Sequence, residues 1–117
     1  KSIVQLSKEM QDIAEKTRER KTSPEELKGS TFTITNIGTL GGTYATPVIN
    51  WPEVGILGVG KIQEKPVVRE GKIVIRHMMT ISLTFDHRIV DGAQAVRFAN
   101  EVLQHLEDPG LFLLDVI

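Results

Sequence analysis

The sequence predicts an α/β (α+β) fold. Three observations predict this class: an amphipathic helical pattern near each end of the chain, strand patterns of alternating polarity, and one continuous apolar strand between them. Of the 117 residues, 40% are hydrophobic and 25% are charged, as in an ordinary globular domain. We therefore expect one domain, or one piece of a domain.

The first element is an amphipathic helix. Its apolar positions recur at helical spacing and are Ile3, Leu6, Met10, Ile13 and Thr17. Ser2 and Gln5 fit a capping box that starts the helix near the start of the chain. Residues 23–26 then have the order of an N-cap, a proline at N1 and an acidic first turn, with Gly29 as a stop, so a short second helix is predicted.

A half-buried strand is predicted over residues 31–35, because Phe32 and Ile34 share one face and three threonines share the other. The strand leads into residues 38–42, where three glycines allow positive φ and close approach to a ligand or another chain. A plain connection between two elements is the alternative interpretation of this loop.

Further strand patterns follow. Residues 54–62 are apolar and contain glycines, which indicates a strand buried on both faces. Residues 67–75 favour a hairpin with its turn at residues 69–71. Residues 77–85 alternate and are expected to form one long strand.

The last regular element predicted is a helix that Pro109 and Gly110 end. Its predicted apolar stripe consists of Val96, Ala99, Val102, Leu103 and Leu106. Residues 111–117 contain six apolar residues in seven, so we expect this tail to pack against protein rather than to lie in water.

Composition excludes several classes of function. The 14 basic and 15 acidic residues give a net charge of -1, which disfavours a nucleic-acid or anionic-membrane binder. No apolar run approaches the ~20 residues of a membrane span. The absence of cysteine excludes a cysteine-based zinc site and a cysteine nucleophile. Chemistry must therefore come from histidine, hydroxyl or carboxylate groups.

Of the three histidines, His87 has the position most typical of a reactive group, because a strand ends there and the chain turns toward a helix. His77 is interpreted as structural and His105 as a solvated cap of the last helix. The spacing of His87 and Asp91 alone could belong to a metal pair, but no third ligand is visible. No Gly-x-Ser-x-Gly elbow of a serine hydrolase is present. From the residues alone, His87 is either a base acting on a substrate or a histidine hydrogen-bonded in a loop.

The segment Ser82–Ala93, which contains His87 and Asp91, resembles the active-site segment of the dihydrolipoamide acyltransferases, the core component of 2-oxo acid dehydrogenase complexes. A His-x-x-x-Asp-Gly motif alone is shared with chloramphenicol acetyltransferases and other coenzyme A-dependent acyltransferases. The resemblance continues, in the family's order, through residues 29–38, 41–50, 52–54 and Asp108-Pro109. It implies a two-layer sandwich of the coenzyme A-dependent acyltransferase type, in which a mixed β-sheet carries helices on one side. Residues 1–117 are then the C-terminal part of one catalytic domain.

The resemblance also implies a reaction, in which an acyl group moves between dihydrolipoamide and coenzyme A. A thiol with a pKa of ~8.5 is mostly protonated at neutral pH, and a histidine can take and return its proton. His87 matches the family's base, and Thr35 matches its serine or threonine, whose hydroxyl donates to the oxyanion. Asp91 is expected to orient the site, fix the loop through Arg88 or backbone amides, or N-cap the helix. Four residues are expected to line the coenzyme A or lipoyl channel: Asn36, Gly38, Gly41 and Gly42.

Partners and location follow from the same resemblance. The family builds trimers, in which the histidine of one subunit meets the hydroxyl of its neighbour, and larger cubic cores from those trimers. Coenzyme A or acyl-CoA and lipoamide are the expected substrates, with no metal, and the lipoyl domain, the decarboxylase and dihydrolipoamide dehydrogenase are the expected partners. The expected location is the cytoplasm of a bacterium or archaeon, or the mitochondrial matrix of a eukaryote. A catalytically silent fragment that only assembles is the alternative.

Overall fold

A computed structural model describes residues 1–113, and the chain divides into two compact units with the boundary between Ser30 and Thr31. The elements in chain order are helix α1 (Ile3–Arg18), strand β1 (Thr33–Asn36), a 3-10 turn (Gly38–Leu40), strands β2 (Gly55–Val59), β3 (Gln63–Arg69), β4 (Lys72–Met78) and β5 (Ile81–Phe85), helix α2 (Gly92–Glu107), and a 3-10 turn (Pro109–Leu113). Within residues 1–113, no helix is both long and apolar enough to cross a membrane.

In the first unit, helix α1 begins at the capping box that the sequence predicts. The Ser2 hydroxyl accepts a hydrogen bond from the Gln5 amide at 3.2 Å, and the Gln5 side chain accepts one from the Ser2 amide at 2.8 Å. None of the residues of α1 is buried. The predicted helix and its start are thus confirmed, and its apolar stripe is exposed.

The prediction of a short second helix is wrong. Residues 24–27 form only a turn. The Ser23 hydroxyl accepts a hydrogen bond from the Glu26 amide at 3.3 Å, and the Glu26 carboxylate accepts one from the Ser23 amide at 2.8 Å, as in a capping box. Gly29, at φ +83°, leaves the right-handed region only a few residues later. The segment is too short to offset the cost of nucleating a helix, so the cap closes a single turn.

The second unit is built on a three-stranded mixed sheet in the order β1-β2-β5. Strand β1 runs parallel to β2, with Thr35 opposite Gly58, and β2 runs antiparallel to β5, with Gly58 opposite Ser82. Residues 55–58 of the central strand are buried, which confirms the strand predicted to be covered on both faces. Helix α2 lies over one face, where the rings of Phe32 and Phe98 are 5.6 Å apart. A mixed sheet with a helix on one side confirms the predicted fold class.

Alternation along the strands divides the sheet into two faces. The helix face carries Ile34, Gly55, Leu57, Leu83 and Phe85. The threonine face carries Thr33, Thr35, Ile56, Gly58, Ser82 and Thr84. Residues 42–50 cross the threonine face: a Cβ added at Gly58 would lie 3.6 Å from Pro47, and one at Gly60 would overlap the carbonyl of Thr43. Glycine at position 60 is what allows these backbones to approach.

The first strand has the two faces that the sequence predicts, but it spans Thr33–Asn36 rather than residues 31–35, and its threonine face is the more buried one. Ile34 is 67% exposed, whereas Thr33 and Thr35 are half-buried. Helix α2 reaches the helix face at Phe32 through Phe98. Among the described residues nothing comparable covers Ile34, because β1 is an edge strand of this sheet.

The predicted hairpin is confirmed and is longer than expected, with β3 and β4 paired from Gln63 and Met78 to Arg69 and Lys72. Glu70 and Gly71 form its turn at φ 51° and 74°, as a two-residue hairpin loop requires. The prediction of a single long strand over residues 77–85 is wrong. Strand β4 ends at Met78 in the hairpin, and β5 begins at Ile81 in the mixed sheet. Both pieces alternate, so periodicity does not reveal that the chain changes sheets.

Helix α2 is present, but its buried stripe is rotated from the predicted one. Ala95 is buried, and Ala99, Val102 and His105 are half-buried. By contrast, Val96 is 59% exposed and Leu103 and Leu106 are also exposed. Small side chains let the helix approach the sheet closely, which a pattern based on hydrophobicity alone does not register. The predicted packing of the tail falls partly on residues 114–117, which lie outside the described residues.

Candidate active site

His87 lies on an anchored turn at the end of β5. The amides of Ile89 and Val90 both donate to the Asp86 carbonyl at 3.0 Å, and the Asp86 amide donates to the Val54 carbonyl at 2.9 Å. The His87 side chain is exposed, and its ring is 5.6 Å from that of Phe85. An exposed imidazole is therefore presented by a backbone that hydrogen bonds hold in place.

Asp86 and Arg88 form an ion pair across this turn. The Arg88 Nε donates to the Asp86 carboxylate at 2.9 Å, and the Arg88 amide donates to it at 3.0 Å. Hydrogen bonds from the Arg88 guanidinium and amide lower the pKa of Asp86 from its ordinary 3.8 to about 2. Arg88 is held by Asp86, so the expected fixation of the loop through Arg88 involves this carboxylate rather than Asp91.

This ion pair predicts a pH-dependent contribution to stability. Because the pKa of Asp86 is lower in the folded than in the unfolded chain, the contribution is complete above pH ~4 and is lost as the pH falls toward 2. We expect Asp86→Asn to make the free energy of unfolding less dependent on pH across this window, measured by urea denaturation. Arg88→Gln should have the same effect, and an unchanged pH dependence in that variant would contradict the assignment.

Asp91 is the N-cap of helix α2. Its carboxylate accepts a hydrogen bond from the Gln94 amide at 2.8 Å, and the Gln94 side chain accepts one from the Asp91 amide at 3.3 Å. Of the roles expected for Asp91, the structure therefore shows the N-cap. This cap fixes the point where the turn that carries His87 enters the helix.

A substitution pair tests how much this cap contributes. Asp91→Ala should lower the free energy of unfolding by about 1 kcal/mol, because the Gln94 amide loses its acceptor. Asp91→Asn keeps an acceptor and should change it by only a few tenths of a kcal/mol. Thermal and urea denaturation measure both changes, and equal losses in the two variants would rule out the capping role.

Thr35 is not close to His87 within one chain. The register sets Thr35 level with Ser82, with β2 between their strands. Phe85, the last residue of β5, lies three residues beyond Ser82, roughly 10 Å at ~3.3 Å per strand residue, and His87 follows two residues later in the turn, while two strand spacings of ~4.8 Å separate β1 from β5. A base and an oxyanion donor for the same carbonyl must both lie about 3 Å from the reacting atoms. One chain by itself does not bring these two side chains together.

The predicted channel residues form a tight loop at the end of β1. The Asn36 side chain accepts a hydrogen bond from the Gly38 amide at 2.9 Å, and Gly41 has a φ of +88°. The positive φ expected in this loop is thus confirmed at Gly41. The close approach is to the chain's own backbone, since a Cβ at Gly38 would lie 2.6 Å from the Gly60 carbonyl oxygen. Gly42 donates its amide to the Ile37 carbonyl and so closes the loop.

Two cavities flank these elements. One of about 270 Å³ lies beside the loop, and its lining includes Asn36 and Gly38 together with Lys61. Gly41 and Gly42 are not among its lining residues. The other, of about 430 Å³, lies between α2 and the helix face, where its lining includes Phe85 and Ile89 on either side of His87. No sequence signal predicts this apolar cavity, because its lining residues come from separate parts of the chain.

The other two histidines have local structural contacts. His77 Nε2 lies 3.8 Å from the Glu64 carboxylate across the hairpin. The side chain of His105 is only 14% exposed and packs on Phe112, so the solvated cap predicted for it is wrong. Its Nδ1 lies 2.9 Å from the Glu101 carbonyl oxygen. In the part of the chain that the structure describes, no three histidine, aspartate or glutamate side chains are grouped as metal ligands would be.

Comparison with known proteins gives consistent matches along the chain. Residues 1–114 match the family model described as 2-oxoacid dehydrogenases acyltransferase (catalytic domain). The dihydrolipoyllysine-residue acetyltransferase component of the pyruvate dehydrogenase complex of Bacillus subtilis is 50% identical over 115 residues, which are 98% of this chain and 26% of that protein. Its counterpart in Staphylococcus aureus is 47% identical over 98% of this chain and 27% of that protein.

Solved structures agree with the described fold. The dihydrolipoamide acetyltransferase of Azotobacter vinelandii has a TM-score of 0.91 and 43% identity over 97% of this chain and 46% of that one. A truncated catalytic core of the 2-oxoacid dehydrogenase multienzyme complex of Thermoplasma acidophilum has a TM-score of 0.77 and 49% identity over 93% of this chain and 47% of that one. The cubic core of a pyruvate dehydrogenase multienzyme complex has a TM-score of 0.91 and 42% identity over 97% of this chain and 46% of that one. The chain thus spans about a quarter of these curated relatives and just under half of these solved chains.

Proposed function

The chain belongs to the 2-oxoacid dehydrogenase acyltransferase family, matching its catalytic domain, and we propose that the protein carrying it moves an acyl group between dihydrolipoamide and coenzyme A. The proposed setting is the core of a 2-oxo acid dehydrogenase complex, with lipoyl domains delivering the acyl group. We propose further that residues 1–117 are the C-terminal part of one catalytic domain.

The observation that carries this proposal is the spacing of three side chains. In the Azotobacter vinelandii protein, three residues have been examined for their role in the catalytic mechanism: a serine, a histidine 52 positions later, and an asparagine four positions after the histidine. In this chain His87 follows Thr35 by 52 positions, and Asp91 follows His87 by four. Threonine keeps the hydroxyl of serine. Aspartate keeps the length of asparagine and a side-chain oxygen that can cap a helix.

These groups support a thiol–thioester exchange in which each transferred proton has a named donor and acceptor. His87 takes the proton of the coenzyme A thiol, and the sulfur forms a bond to the carbonyl carbon of the acyl-dihydrolipoamide. The Thr35 hydroxyl donates a hydrogen bond to the oxygen that becomes negative. When the carbonyl reforms, the carbon–sulfur bond to dihydrolipoamide breaks and the leaving thiolate takes the proton back from His87. The same steps run in reverse for transfer from acyl-CoA.

The proposed site needs two copies of the chain. Thr35 and His87 are too far apart in one chain to act on the same carbonyl, and a neighbouring copy can supply the second group. Among the described residues the buried apolar side chains are only Ile56, Leu57 and Ala95, whereas many large apolar side chains are exposed. Such an apolar surface is typical of a chain that packs against further protein. We propose trimers with the site at each subunit boundary.

An assay on the assembled natural protein tests this function. The protein is incubated with an acyl-CoA and dihydrolipoamide, acyl transfer is followed, and the oligomeric state is measured by sedimentation. Transfer by a trimer or a larger multiple of it is the expected result. Transfer by a monomer would overturn the two-copy site. Assembly without transfer would favour the alternative of a silent structural core.

A further inference from the structure

Glu53 is the buried charged side chain of the part of the chain that the structure describes, with 7% of its surface exposed. It lies just before β2, at the end of a turn in which the Glu53 amide donates to the Asn50 carbonyl at 2.9 Å. Burying a carboxylate is costly unless donors satisfy it. A buried glutamate therefore indicates a specific set of hydrogen bonds.

Two of those hydrogen bonds connect separate parts of the fold. One carboxylate oxygen of Glu53 accepts from the Thr33 hydroxyl at 2.5 Å. The other accepts from the Asn50 side-chain amide at 2.9 Å. Thr33 is the first residue of β1, so the carboxylate joins the start of β1 to the turn that leads into β2.

Strand β1 is held near its start by its pairing with β2, by the contact of Phe32 with Phe98, and by the hydrogen bond from Thr33 to Glu53. It has four residues and lies at an edge of the mixed sheet, and the side chain of Ile34 on its helix face is 67% exposed. On the opposite face Thr33 and Thr35 are neighbours, about 7 Å apart along the strand. A contact that fixes Thr33 therefore also fixes the part of the backbone from which the Thr35 hydroxyl projects.

We propose that Glu53 is a positioning residue for acyl transfer: through the Thr33 hydroxyl, its carboxylate holds β1 so that the Thr35 hydroxyl is aimed at the developing oxyanion. This inference rests on the proposed function. Glu53 itself touches neither substrate nor reacting atoms. Displacing a catalytic group by an ångström can cost a large part of its effect on the rate, so the contribution of Glu53 is seen in kcat.

The first test removes the hydroxyl that Glu53 binds. Thr33→Val, in the assembled natural protein, should lower kcat about 10-fold, with KM for acyl-CoA and dihydrolipoamide changed by less than about twofold. Thr33→Ser keeps the hydroxyl and should retain most of the kcat of the parent protein. Glu53→Gln should lose less than Thr33→Val, because it keeps an oxygen acceptor but not the charge. Thr80→Val is the matched control, since Thr80 is a half-buried threonine outside the Ser82–Ala93 segment, and it should leave kcat unchanged.

The second test separates positioning from a merely structural role. In a Thr35→Val background the oxyanion donor is already absent, so adding Thr33→Val should cause no further loss of kcat. An equal loss in both backgrounds, or no loss in either, would overturn the inference. Thr33→Ser and Glu53→Gln keep the test decisive if Thr33→Val fails to assemble. His87→Ala is measured beside them: full transfer in that variant refutes the proposed function, whereas its loss together with an unaffected Thr33→Val refutes only the role of Glu53.

Discussion

Replacing His87 by alanine should lower the rate of acyl transfer at neutral pH by about 10²- to 10⁴-fold, the range that a general base and acid contributes. The side chain is exposed and its ring contact is with Phe85, so the substitution removes little packing. The folded and assembled protein should therefore persist, and the loss should be in the chemistry. Steady-state transfer between an acyl-CoA and dihydrolipoamide measures the effect.

The pH dependence of this loss identifies the role of His87. A free thiol with a pKa of ~8.5 forms its own thiolate at alkaline pH and then needs a base less. The gap between the parent protein and His87→Ala should accordingly narrow as the pH rises above about 8.5. A gap of the same size at every pH would contradict proton transfer by His87 and would favour a histidine that only shapes the turn.

Thr35→Val should lower kcat by about 10²- to 10³-fold, because it removes one donor to the oxyanion and little volume. The side chain is half-buried, and valine fills nearly the same space, so assembly should be retained. Thr35→Ser keeps the hydroxyl and should retain most of the activity. Rates and sedimentation of the two variants, measured in parallel, give the comparison.

Mixing two inactive variants tests whether Thr35 and His87 act from different chains. In mixed trimers of His87→Ala and Thr35→Val chains, some subunit boundaries combine an intact Thr35 with an intact His87. After dissociation and reassembly, activity should recover to about a quarter of that of the parent for equal mixing. No recovery would mean that both groups come from one chain, contrary to the separation that the sheet register gives.

Several elements could be predicted because their signals are local. The capping box of Ser2 and Gln5, the hairpin turn at Glu70-Gly71 and the apolar run of β2 are each specified by residues a few positions apart. Errors arose where local patterns have more than one tertiary outcome. The alternation over residues 77–85 continues while the chain changes sheets, and the cap at Ser23 precedes a segment too short for a helix.

The residues of the candidate site likewise divide into those with a local sequence signal and those without one. His87 was predicted from its place after a strand, and the position of Asp91 four residues later made an N-cap one of its expected roles. The ion pair of Asp86 with Arg88 was overlooked, although two opposite charges two residues apart in a turn are a usable local signal. No local pattern predicts the hydrogen bond between Thr33 and Glu53, because the two residues are 20 positions apart and the burial of Glu53 depends on tertiary packing.

By itself the sequence determined the types of the main elements, the fold class and the residues whose chemistry suits acyl transfer. Periodicity, capping and turn signals act over a few residues, and residue type alone sets what a side chain can donate or accept. Only the tertiary structure decided that Thr35 lies far from His87 within one chain, and that the buried Glu53 accepts a hydrogen bond from Thr33 on the strand that carries Thr35. These distances depend on strand order and register, which pairings between distant parts of the chain set and which no short pattern encodes.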